Sequence, residues 1–153
     1  MNEAHWHLLL NHFPIEGVII GLMILSVGFL IRKKEVKHTA LSVFMTAAII
    51  AIPASKTGHK AEHFLKKLGE APHELIEEHE DLGEIFMYAS VGLGLLSLIT
   101  LVLDLRRSSA ASVLYGIIFV TAIAACTLAV KVGTTGGKIR HTEIRNEAIL
   151  SLL

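Results

Sequence analysis

Nine histidines carry the chemical promise of this 153-residue chain, because imidazole ligates metal ions, holds haem iron and exchanges protons near neutral pH. Four of them, His59, His63, His73 and His79, fall in the polar run from Thr57 to Gly83. His5, His7 and His12 lie near the N-terminus, His141 lies near the C-terminus, and His38 stands apart. His59 and His63 are four residues apart, as are His12 and Glu16, and both spacings put two ligand-type groups on one helical face. Such a set suits a zinc, copper or iron ion, with His12, His59, His79 and His141 as principal ligands and His63 and His7 as secondary ones. His12-Phe13-Pro14 opens an apolar run, so His12 reads either as a ligand or as an interfacial anchor.

A second pattern points to haem. His59 follows Gly58, His79 lies four residues before Gly83, and His141 lies four residues after Gly137. A glycine one turn from a histidine leaves an open shelf of backbone for a planar macrocycle ligated through imidazole. Glycines near helix ends are also common caps. Lys56, Lys60, Lys131, Lys138 and Arg140 offer counter-charges for haem propionates, or are ordinary interfacial charges. Glu16, a carboxylate inside an apolar run, can fix an imidazole tautomer, take up protons or reach the interface.

The single cysteine, Cys126, excludes an internal disulfide and a cysteine-rich metal site. No His-Glu-x-x-His occurs, nor a Glu-x-x-His repeated on two helices. No nucleophile constellation or phosphate loop is visible, so the expectation is a redox carrier at most and not an enzyme in isolation.

The elements that position these groups are four apolar runs: Ile15 to Ile31, Thr39 to Ser55, Leu82 to Leu105 and Ala110 to Val130. Hydrophobic residues make up 52% of the chain and the mean hydropathy is +0.58, above the range of ordinary soluble domains. Each run approaches the roughly 20 residues that a spanning helix needs, and backbone facing lipid must be helical. The expected fold is all-α: a single integral membrane domain over residues 1–153, an antiparallel four-helix bundle with spans near 14–31, 39–55, 82–105 and 110–131. A polar cap over 56–81 is expected to hold a short helix from Lys60 to Leu68 on the bilayer surface, before a helix that starts at Pro72 and runs into the third span. Gly17 and Gly21 form a G-x-x-x-G that packs helices closely within one bundle or in a homo-oligomer.

Orientation follows from the short loops. Arg32, Lys33, Lys34 and Lys37 crowd the first, and Arg106 and Arg107 fill the third. The positive-inside rule puts both in the cytoplasm and both termini outside, in a bacterial inner membrane. Eight of the nine histidines then share the extracytoplasmic face, and only His38 lies on the other. The N-terminus lacks the basic region and cleavage site of a signal peptide. A net charge of zero gives no reason to expect nucleic acid as a partner.

The motifs together resemble a family of small, largely uncharacterised bacterial membrane proteins with four spanning helices. The shared residues are His7 and then His12-Phe13-Pro14, a His-x(4)-His-Phe-Pro signature; Thr57-Gly58 with Ala61; His79-Glu80 with Gly83; and Gly136-Gly137 with His141. Two positions depart from the pattern: Leu8 stands where a proline usually follows the first histidine, and Glu16 where an apolar residue is usual. The resemblance implies the four-helix fold with histidines at the outer helix ends, and a haem-binding or redox role.

Three functions follow as expectations. The first is a cytochrome b-like electron carrier binding one or two haems b through bis-His ligation, with a periplasmic or membrane redox partner. An up-down-up-down square would pair His12 with His79 and His59 with His141. The second is a transition-metal site built from the same histidines with Glu16 or Glu62. The third is a cofactor-free subunit of a larger membrane complex.

Overall fold

The computed structural model describes residues 3–68, 72–141 and 143–144, with side chains at 3–4, 62–65 and 67–68 excepted. Its described residues are predominantly helical and include no strand. The helices are α1 (Glu3–Leu10), α2 (His12–Leu30), α3 (Lys34–Leu68), α4 (His73–Leu105) and α5 (Ala110–Arg140). Four stretches, His5–Leu30, Lys34–Ala61, His73–Leu105 and Ala110–Arg140, are long and apolar enough to cross a membrane.

The break between α1 and α2 has a local cause. Pro14 has no N–H to give to the Leu10 carbonyl, and its ring crowds that carbonyl, so the ladder is interrupted at Asn11. Pro14 falls in the first turn of α2, where a proline is tolerated. At the other end of α2, Arg32 takes a left-handed conformation with φ 55°. Arg107 does the same after α4, with φ 59°. There the Arg107 N–H bonds the Asp104 carbonyl and the Ser108 N–H bonds the Leu103 carbonyl, the two bonds of a Schellman motif.

α3 is one helix of 35 residues. The stretch from Lys60 to Leu68, expected as a separate surface helix, forms its last turns. Neither Pro53 nor Gly58 ends it, and the Thr57 hydroxyl donates to the Pro53 carbonyl at 2.9 Å. α4 begins after Pro72 and continues unbroken through the third apolar run, as the sequence suggests.

Helices α2, α3, α4 and α5 pack in ring order, and α1 lies on α3. Leu25, Leu41, Leu93, Ile118, Ala122 and Ala129 are wholly buried where they meet. Small residues set the spacing. A Cβ on Gly17 would come 2.8 Å from the Ala47 Cβ, and one on Gly21 would strike the Phe44 ring. Both glycines of the G-x-x-x-G thus face α3 of the same chain. Gly94 on α4 presses equally closely on Ala48. Outward positions carry large apolar residues, among them Met23, Ile49, Leu95, Val113 and Val120.

Candidate functional site

The bundle has two polar ends. At one, the termini of α1, α3, α4 and α5 bring histidines together; at the other, basic loops surround Asp104.

At the histidine end, two imidazoles are half-buried and oriented. His7 on α1 reaches the carbonyl of Ala54 on α3, with Nδ1 to oxygen 3.0 Å. A carbonyl only accepts, so Nδ1 carries the proton and Nε2 keeps its lone pair. Gly58, one turn further along α3, makes room for the ring: a Cβ there would lie 3.0 Å from His7 Cε1.

His79 on α4 repeats the arrangement against α5. Its Nδ1 lies 2.9 Å from the Thr135 hydroxyl. That hydroxyl is itself within reach of the Lys131 and Val132 carbonyls, at 3.2 and 3.1 Å. The hydroxyl proton goes to a carbonyl, and the oxygen then accepts from His79 Nδ1. Nε2 is again the atom with a lone pair to offer. Gly136 seats the ring, with a hypothetical Cβ 3.1 Å from Cε1. His7 and His79 are near enough for their charges to interact. The pair therefore consists of imidazoles from two helices, each held by a third and a fourth.

The other histidines of this end are placed differently. His12 is exposed at the start of α2, bonds Asn11 through Nδ1 and is an electrostatic neighbour of His7. His59 is exposed and pairs through Nδ1 with Glu80. His73 is exposed and faces Glu77 at 3.6 Å. His141 caps α5 in solvent and pairs with Glu143 at 2.9 Å. The side chains of His63 and Glu62 lie outside the described residues.

Each expected shelf glycine also has a place. Gly83 and Gly137 would meet nothing within 4 Å if given a Cβ, so they leave open backbone beside the end. Contact between glycine and imidazole is made across helices, by Gly58 and Gly136, and not along one helix. Lys60 and Arg140 are exposed at the same end, and Lys138 is half-exposed. Glu16 is exposed further along α2. It lines an open groove of about 440 Å³ between α2 and α3, with Phe13, Gly17, Ile20 and Thr46 among its walls. Among the described residues, no group of three or more His, Cys, Asp or Glu side chains converges to hold an ion.

The other end holds a cluster that sequence reasoning passed over. The Asp104 side chain is only 9% exposed. It accepts from Lys34 Nζ at 3.0 Å, His38 Nε2 at 2.8 Å and the Tyr115 hydroxyl at 3.1 Å. Lys37 lies over the Tyr115 ring, 4.4 Å from its centroid, and over Phe29 at 5.7 Å. One carboxylate on α4 thus binds α3 and α5. Its sequence signal is slight: an acid at the end of an apolar run, two residues before a basic pair.

Comparison with known protein families, with curated proteins and with solved structures finds no match for this chain.

Proposed function

We propose that this chain is an integral membrane electron carrier, with four helices crossing the bilayer antiparallel and haem b bound between His7 and His79. The observation that carries the reading is the His7–His79 pair, two neighbouring imidazoles with Nδ1 held on the protein and Nε2 left over. Haem iron takes two axial ligands, and closing both suits electron transfer. A zinc site takes four ligands in tetrahedral array, whereas the two oriented Nε2 atoms match the number of axial positions on haem iron. The donor chemistry therefore fits haem better than a bare ion.

The remaining features support the same reading. Bound haem would supply one-electron chemistry, while the chain fixes the imidazoles, seats them on Gly58 and Gly136, and offers Lys60, Lys138 and Arg140 as counter-charges for propionates. Gly83 and Gly137 leave the backbone open nearby. Contacts between the start of α3 and the end of α4, and between the end of α3 and the start of α4, suit an antiparallel bundle. Outward isoleucine, leucine and valine on all four long helices suit lipid. The basic loops then face the cytoplasm of a bacterial cell, and the histidine end faces outward. The family resemblance in the motifs points the same way.

The test is the porphyrin and metal content of protein purified in mild detergent from haem-sufficient cells. The reading requires non-covalent haem in stoichiometric amount. Zinc or copper without porphyrin would move the assignment to an ion site, and neither would leave a cofactor-free subunit.

A further inference from the structure

The basic end carries a surface that the electron-transfer reading leaves unused. Six cations, Arg32, Lys33, Lys34, Lys37, Arg106 and Arg107, stand there against two carboxylates, Glu35 and Asp104. The structure divides the six into two sets. Lys34 is tied to Asp104, and Lys37 is drawn over Tyr115 and Phe29. Arg32, Lys33, Arg106 and Arg107 are exposed and have no carboxylate partner among the described residues.

Those four are brought together by Asp104. The loop before α3 and the loop after α4 are separate in sequence, but the bonds from Lys34 and His38 to Asp104 hold them side by side. Each loop turns through an arginine in left-handed backbone, at φ 55° and 59°. A β-carbon in that conformation is unfavourable, and glycine would serve the turn better. The α3 and α5 N-termini begin at the same end, where α2 and α4 stop, so the helix dipoles offset one another and the charge of the rim is that of its side chains. The Ser109 side chain makes no capping bond there. Four cations without a carboxylate partner among the described residues thus crowd one short rim.

We propose that this rim binds the phosphodiester headgroups of anionic phospholipids in the leaflet it faces. The proposal rests on the membrane reading above but not on the cofactor. Each cation near an anionic leaflet adds a favourable increment that salt weakens. Asp104 acts here as a positioning residue, holding the two loops close enough to share lipids.

The test uses the full chain. Wild type is floated with vesicles of phosphatidylcholine alone and with vesicles containing phosphatidylglycerol, and lipid retained after detergent extraction is identified by native mass spectrometry. The expected result is insertion into both and a preference of about tenfold or more for retained phosphatidylglycerol, diminished by high salt. The variant Arg32→Gln/Lys33→Gln/Arg106→Gln/Arg107→Gln should lose that preference while its helical content, by circular dichroism, is unchanged. Equal retention of both lipids by wild type overturns the proposal and leaves the membrane reading intact. Failure to float with either vesicle overturns the membrane reading itself. Equal thermal stabilisation of wild type by inorganic phosphate and by phosphatidylglycerol shows a free-anion site and overturns the headgroup assignment. The wild-type lipid comparison decides the matter even where the fourfold variant does not fold.

Discussion

The His79 ring packs against Gly136 so closely that a single added methyl group would lie 3.1 Å from its Cε1. His7 and Gly58 repeat the relationship at 3.0 Å on another pair of helices. Imidazole and glycine are thus matched across helices, twice, at one end of the bundle. In both seats the imidazole Nδ1 is bonded to protein.

The first prediction concerns those seats. Gly136→Ala and Gly58→Ala each force an imidazole to move by a few tenths of an ångström, with overpacking worth about 1–3 kcal/mol. Haem content should fall in both variants, as read by pyridine haemochrome assay. Gly137→Ala, where a Cβ meets nothing within 4 Å, should keep wild-type haem content and melting temperature. Equal losses in all three would show that the seats do not matter.

The hydroxyl of Thr135 accepts the His79 Nδ1–H and should orient the ring. Thr135→Val keeps the shape and removes the acceptor, and losing such a supporting bond commonly costs about 10–100-fold in affinity at a ligated centre. Thr135→Ser should recover most of it. Haem titration into apoprotein measures both, and indistinguishable affinities for the Val and Ser variants would contradict the role.

Asp104 joins three helices by receiving three bonds. Asp104→Asn removes the charge and leaves donors facing a mixed amide. Unfolding of the detergent-solubilised protein should be easier by about 1–3 kcal/mol. Thermal or denaturant melting followed by circular dichroism reads the loss, and an unchanged transition would show the cluster to be incidental.

Helix spacing depends on glycine at Gly21 and Gly94, where a Cβ would strike Phe44 and Ala48. Gly94→Val should destabilise the bundle by about 1–3 kcal/mol, whereas Gly92→Val, facing open space, should not. Melting temperatures of the two variants, compared side by side, make the check.

Much of this was legible in the residues. The four long helices follow from run length and composition, and the gathering of histidines at one end follows from where those runs begin and stop. Facing was not legible, because helices apolar on all sides have no polar stripe to show which side turns inward. His12 stood out beside Phe13 and Pro14, yet Pro14 breaks the helix at Asn11 and it is His7, on the preceding segment, that turns toward the bundle. Glycine–histidine spacing along one helix suggested Gly83 and Gly137. The contacts that form join residues far apart in sequence, which no spacing rule can display.

The pair of His7 and His79 is tested most directly by reduced-minus-oxidised absorption spectra of detergent-purified wild type and single alanine variants. The account predicts Soret and α bands of a low-spin bis-His haem in wild type. It predicts that His7→Ala and His79→Ala abolish those bands or convert them to high spin, and that His12→Ala, His59→Ala and His141→Ala retain them. A colourless wild-type protein from haem-sufficient cells, or bands that survive loss of His7 and of His79, would contradict it.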